Sequence, residues 1–191
     1  MKQDIILSGV GGQGILSIAT VIGEAATAAG IKLKQAEVHG MSQRGGDVQS
    51  NLRLSDSEIY SDLIPSGKAD MIIAMEPMEA LRYLPMLAKD GMIITSSTPL
   101  VNISDYPSFE ALQAELDAQP NVYKADVETL AKEAGNPKGA NMILLGMAAS
   151  HLGILTADQL RDALGRIFAR KGEAVVESNR KCFDLGLKLT E

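Results

Sequence analysis

The sequence predicts a three-layer α/β/α domain with a mostly parallel, mixed sheet, a Rossmann-like start and C-terminal helices. Three observations carry that expectation. Short apolar runs alternate with helix-period segments from the start to about residue 134. A glycine loop joins the first apolar run to the first helical segment. From Lys138 onward the chain reads as helix almost throughout.

Taken in order, residues 3–8 (QDIILS) read as a buried strand, 9–14 as a glycine loop and 15–29 as a helix stopped by Gly30. Residues 32–38 alternate like a second strand. The half-polar run 48–54 reads as a third, paired antiparallel to a neighbour. The apolar stretch 69–75 (ADMIIAM) has the character of a central parallel strand. Pro77 then opens a helix expected over 78–87, since the missing N–H costs nothing at a first helical position. A strand at 91–95 follows, then a helix capped by Ser108 and running to Leu116, a short strand at 122–124 and a helix at 127–134. The last three helices are expected at 140–152, from a Thr156 cap to about 169, and at 173–189. No repeat or linker divides the chain, so residues 1–191 are expected to form one domain.

Composition excludes more than it identifies. The 46% hydrophobic and 22% charged content is globular, and a net charge of -6 lacks the basic face that nucleic acid or an anionic membrane demands. No apolar run reaches the roughly 18 residues of a membrane span, and the N-terminus lacks a signal-peptide layout. A lone cysteine, Cys182, rules out an intrachain disulfide and fits a reducing cytoplasm. It also cannot supply the roughly four ligands of an iron–sulfur cluster. Nine methionines most simply fill core gaps, although a partner surface would use them too.

Two motifs carry chemistry. Gly9, Gly11 and Gly14 satisfy G-x-G-x-x-G between a strand and a helix, and with Gly12 and Gln13 make the more specific GxGGQG. Glycines there allow a tight turn, close backbone approach and anion binding at the following helix N-terminus. Glu37, late in the second strand, stands where a dinucleotide-binding domain keeps its ribose acid. These features support a self-sufficient NAD(P)- or flavin-binding oxidoreductase as one reading. The bland reading is that the glycines only pack helix on strand.

The second motif follows the second strand: His39, Gly40, Met41, Ser42, Gln43, Arg44, Gly45 and Gly46. It gathers an imidazole, a hydroxyl, an amide and a guanidinium into one bendable loop at a sheet's carboxyl edge, where sites form. Arg44 can clamp a phosphate or carboxylate in bidentate fashion. Two strands leaving the sheet in the same direction would set the two glycine loops side by side, Gln13 and Arg44 facing one crevice. Glu76, beside that crevice, suits either a site or a helix start. Asn141, in the NPKGAN segment with Lys138, reads first as loop punctuation. Lys171, Glu173 and Asn179 read as a solvated or partner face, and Cys182 as buried and inert. With only His39 and His151, no Cys/His spacing supports a metal.

The pair GxGGQG and HGMSQRGG, one helix and one strand apart, resembles the gamma-type subunit or domain of 2-oxoacid:ferredoxin oxidoreductases. The resemblance extends through ADMIIAMEPMEALRYLP, GANMILLG and the last helix. Length and the EPMEALRYLP segment look most like the beta subunit of the indolepyruvate type. It implies oxidative decarboxylation of a 2-oxoacid, here an arylpyruvate, to an acyl-CoA, with electrons passing to ferredoxin and coenzyme A as cosubstrate. Thiamine diphosphate with magnesium, and the 4Fe–4S clusters, would sit on a large alpha subunit. This chain has one cysteine and no G-D-G…N thiamine motif, so no cofactor is expected on it alone. A pure scaffold is the remaining alternative.

Overall fold

The computed structural model describes residues 1–39 and 45–190. Its centre is a six-stranded sheet ordered β2-β3-β1-β4-β5-β6. The strands are β1 (Lys2–Val10), β2 (Lys32–His39), β3 (Asp47–Ser55), β4 (Ala69–Ala74), β5 (Leu87–Ser96) and β6 (Val122–Ala125). β1, β4, β5 and β6 run parallel, whereas β3 lies antiparallel between β1 and β2. β1 is buried from Gln3 to Val10, as an apolar run flanked by paired strands must be.

Helices cover both faces. On one, α1 (Ile15–Ala28), α4 (Val127–Glu133), α5 (Ala140–Ala149), α6 (Ala157–Phe168) and α7 (Glu173–Leu187) build the main core with Ile5, Leu7, Ile73 and Ile94. On the other, a smaller core around Ile6, Ile72 and Ile93 lies under α2 (Pro77–Arg82) and α3 (Phe109–Asp117). α5 is buried from end to end and crosses α7 at two glycines. A methyl group at Gly146 would overlap the Phe183 carbonyl, and one at Gly186 the Ile143 carbonyl. The two backbones touch there because neither residue has a side chain.

Most expected elements stand where the sequence puts them, including the Ser108 cap of α3 and a reciprocal Thr156–Gln159 capping box on α6. The helix expected over 78–87 instead ends at Arg82, and a single tight turn at Leu84–Met86 follows before β5. Pro85 explains this: its ring clashes with the carbonyl one turn back and it donates no hydrogen bond. Four of the nine methionines, Met71, Met75, Met142 and Met147, are buried in the core.

The arrangement of β2 also separates this fold from a dinucleotide site. Glu37 sits on the edge strand, with β3 between it and the glycine loop. It lies two strand spacings, about 9–10 Å, from β1, whereas a ribose acid stands on the strand next to the glycine-loop strand, one spacing away. Its oxygen instead takes a hydrogen bond from Gln35 Nε2 at 2.5 Å.

Candidate functional site

The glycine loop leaves β1 at the carboxyl edge of the sheet. Gly12 and Gly14 hold φ of 104° and 82°, a backbone that side-chain-bearing residues rarely adopt, so the tight turn requires glycine there. Gln13 fixes the loop from within. Its Oε1 accepts from the Val10 N–H at 2.7 Å, and its Nε2 donates to the Met75 carbonyl at 3.1 Å. Each end of the amide thus makes a bond to backbone, tying the loop to the end of β4. Gln13 also lines the cavity behind the loop. Asn141 holds the other end, donating from Nδ2 to the Gly14 carbonyl at 3.1 Å.

β1 and β2 leave the sheet in the same direction, as expected, and the Gly45–Gly46 end of the second glycine motif meets the first loop with β3 between the two strands. β2 is not the neighbour of β1. β3 starts at the same edge, and its leading residues lie on the first loop: Gly11 N–H donates to the Gly46 carbonyl at 2.8 Å, and Gly45 N–H approaches the Gly11 carbonyl at 3.5 Å. The side chain of His39 and residues Gly40, Met41, Ser42, Gln43 and Arg44 lie outside the described residues.

Behind the first loop is a cavity of ≈ 860 Å³, within the usual range of small-molecule sites. The starts of three helices line it: Gly14 and Ser17 of α1, Ala140 and Asn141 of α5, Ala174 and Val175 of α7. Each of these helices begins after a glycine (Gly14, Gly139, Gly172) and has no side-chain cap. The other four are capped by the side chains of Glu76, Ser108, Asp126 and Thr156. Uncapped first turns leave N–H groups unsatisfied and carry the positive end of the helix dipole. Three of them turned on one space can attract an anion.

Side chains reinforce this. Lys138 and Lys171 line the cavity, the latter with its Nζ 5.2 Å from the centre of the Phe168 ring. Among the described residues one carboxylate lines it, Glu128. Burial pushes its pKa up, against the opposing hydrogen bond from Ser96 Oγ at 2.7 Å. Asn179, expected to be solvated, is buried and lines the cavity while donating to the Val175 carbonyl at 2.8 Å. Lys138, Lys171 and Asn179 were given bland readings from the sequence. The signal that could have found them is the repeated glycine at a helix start where Ser, Thr, Asp or Asn is usual.

Glu76 is fully buried and serves as cap and anchor. Its oxygens accept from the Glu79 N–H at 2.9 Å, the Leu100 N–H at 3.2 Å and the Tyr106 hydroxyl. Burial, followed by that hydrogen bond to a carboxylate, drives the Tyr106 pKa upward. Cys182 is buried under Gly139, and burial raises its thiol pKa, which makes it a poor nucleophile. Among the described residues no group of three or more His, Cys, Asp or Glu could hold a metal, and no helix is long and apolar enough to cross a membrane.

A three-layer α/β domain with its glycine loop and cavity at the carboxyl edge of a mixed sheet belongs, as a class, with open-sheet domains that take ligands at that edge. The comparison with known proteins is more specific. The chain belongs to the pyruvate ferredoxin/flavodoxin oxidoreductase family, whose model matches residues 4–189. It is 39% identical over 198 residues to the indolepyruvate oxidoreductase subunit IorB of Pyrococcus horikoshii, covering 98% of this chain and 96% of that one. Its fold is that of the gamma subunit of a keto/oxoacid ferredoxin oxidoreductase from Geobacter sulfurreducens: TM-score 0.71, 24% identity, 98% of each chain. The 2-oxoglutarate:ferredoxin oxidoreductase of Magnetococcus marinus shares the fold at TM-score 0.77 and 23% identity, over 99% of this chain but 31% of that longer one.

Proposed function

We propose that this chain is the non-thiamine subunit of a cytoplasmic 2-oxoacid:ferredoxin oxidoreductase of the indolepyruvate type, and that its cavity holds the phosphates of coenzyme A. In the complex an arylpyruvate is oxidatively decarboxylated to its acyl-CoA, and the electrons leave through iron–sulfur clusters to ferredoxin. Thiamine diphosphate, magnesium and the clusters belong to a large partner subunit. The full-length identity to indolepyruvate oxidoreductase subunits supports the substrate class. The Magnetococcus enzyme, described with coenzyme A and succinyl-CoA bound, supports the cosubstrate.

One observation carries the coenzyme A reading: three uncapped helix N-termini and two lysines converge on one cavity. Each helix end contributes about 0.3–1 kcal/mol toward an anion, and up to about 2 where partly buried. Together they suit a ligand with several phosphate charges. Arg44, which precedes Gly45 in the sequence, is proposed as a further clamp on the cosubstrate.

Steady-state kinetics of the reconstituted complex test this. Replacing Lys138 and Lys171 together with Ala should raise the coenzyme A KM by roughly tenfold or more, about 1.4 kcal/mol, with kcat at saturation nearly unchanged. An unchanged KM would remove coenzyme A from this cavity. Arg44→Ala should lower kcat/KM for coenzyme A by about tenfold while costing under about 1 kcal/mol of stability. Wild-type turnover would end its site role. The isolated chain should be colourless and show no arylpyruvate-dependent dye reduction. Turnover by the rigorously purified single chain would overturn the subunit assignment.

A further inference from the structure

We propose that residues 97–108, together with Phe109 at the head of α3, form the surface on which the thiamine-carrying partner subunit docks. This rests on the subunit reading above and adds the location of the interface. The segment leaves the end of β5 and reaches contacts along the carboxyl edge of the sheet. Thr98 Oγ1 is 2.9 Å from Asp126 Oδ1, the Leu100 N–H and the Tyr106 hydroxyl both donate to buried Glu76, and Asn102 Nδ2 donates to the Gly45 carbonyl at 2.8 Å. A twelve-residue stretch without helix or strand is long for a compact domain, and such stretches usually serve function. One backbone and three side-chain bonds tie the segment down.

What it presents is apolar. Leu100 is 42% exposed, Val101 69%, Ile103 45% and Phe109 51%, all within ten residues. Together they expose on the order of 300 Å² of apolar surface, the scale of the largest patch on a typical monomer. That is over a third of the roughly 800 Å² each partner buries in a standard interface.

The site argues for the occupant. Gly12, Met75 and Glu128 line the cavity at the carboxyl ends of β1, β4 and β6, the edge along which the segment is anchored. A cosubstrate held there must reach a thiamine adduct that this chain does not carry, so the subunit bearing the adduct has to approach that edge. An anionic lipid surface fits poorly: residues 97–109 contain no Lys or Arg, and Asp105 and Glu110 flank the apolar positions.

The test co-expresses the full chain with the large thiamine- and cluster-bearing subunit and measures co-purification and the dissociation constant. Val101→Asp combined with Ile103→Asp should weaken association by 100-fold or more. Tyr60→Asp, 92% exposed near the opposite end of the sheet, should not. Circular dichroism and a melting curve confirm that each variant folds. If the double variant does not fold, Val101→Cys carrying a benzophenone label should crosslink to the large subunit, and Tyr60→Cys with the same label should not. Wild-type affinity in the double variant, crosslinking that ignores position, or a patch that mediates only self-association would each overturn the proposal. Failure of the wild-type chain to co-purify would overturn the subunit reading with it. Normal assembly by the double variant would overturn the surface alone.

Discussion

Replacing Gln13 with Leu keeps the size of the side chain and removes both hydrogen bonds that fix the glycine loop. The Val10 N–H and the Met75 carbonyl belong to residues only 2% exposed, so neither gains a good bond to water. An unsatisfied buried polar group costs about 1–3 kcal/mol, and partial relaxation of the loop should bring the pair to about 2–4 kcal/mol in total. For a domain of this size that is a fall in Tm of roughly 5–15 °C. Urea unfolding, followed by both fluorescence and circular dichroism, should show a lower midpoint at an unchanged m-value. Gln13→Glu should be at least as damaging near neutral pH, because it sets a carboxylate oxygen against the Met75 carbonyl. If Gln13 instead pointed its amide at a ligand, the Leu variant would be as stable as wild type and only the coenzyme A KM would rise. A stability change under about 0.5 kcal/mol would refute the internal role.

Two further outcomes follow from the packing and from Glu128. Gly146→Ala should cost more than about 3 kcal/mol, because the added methyl meets the Phe183 carbonyl and not a side chain that can turn away; chemical denaturation checks this. Glu128 has a raised folded pKa, so its contribution to stability is complete below the ordinary glutamate value of 4.5 and is lost as pH rises through the raised value. Coenzyme A affinity should weaken over the same rise, as a carboxylate forms beside the phosphates. Glu128→Gln should flatten that pH dependence, and an unchanged KM–pH profile would exclude Glu128 from the site.

The Gly45–Gly46 contact on Gly11, the Asn141 clamp and the placement of Lys138 and Lys171 join segments 30 to 160 residues apart in the chain. No local pattern encodes which of them meet. By contrast, the strands and helices were legible because their signals are local: ADMIIAM is a continuous apolar run, Ser108 and Thr156 mark helix starts through bonds within three residues, and Pro77 marks one by lacking the N–H a first helical position leaves unpaired. The glycine loop was legible for the same reason, as its φ angles need residues without a Cβ.

The sequence by itself determined the α/β class, the order of the elements and the presence of an anion-suited loop at the end of the first strand. The tertiary structure alone decided that β3 would slot antiparallel between β1 and β2, which parts Glu37 from the loop and brings Gly46 to it. It alone turned the Gln13 amide inward and gathered three bare helix ends around one cavity. The physical reason is that hydrogen-bond satisfaction and helix-end potential are settled by whatever lies opposite in space. A chain read residue by residue carries the donors and the charges, but not the partners they will face.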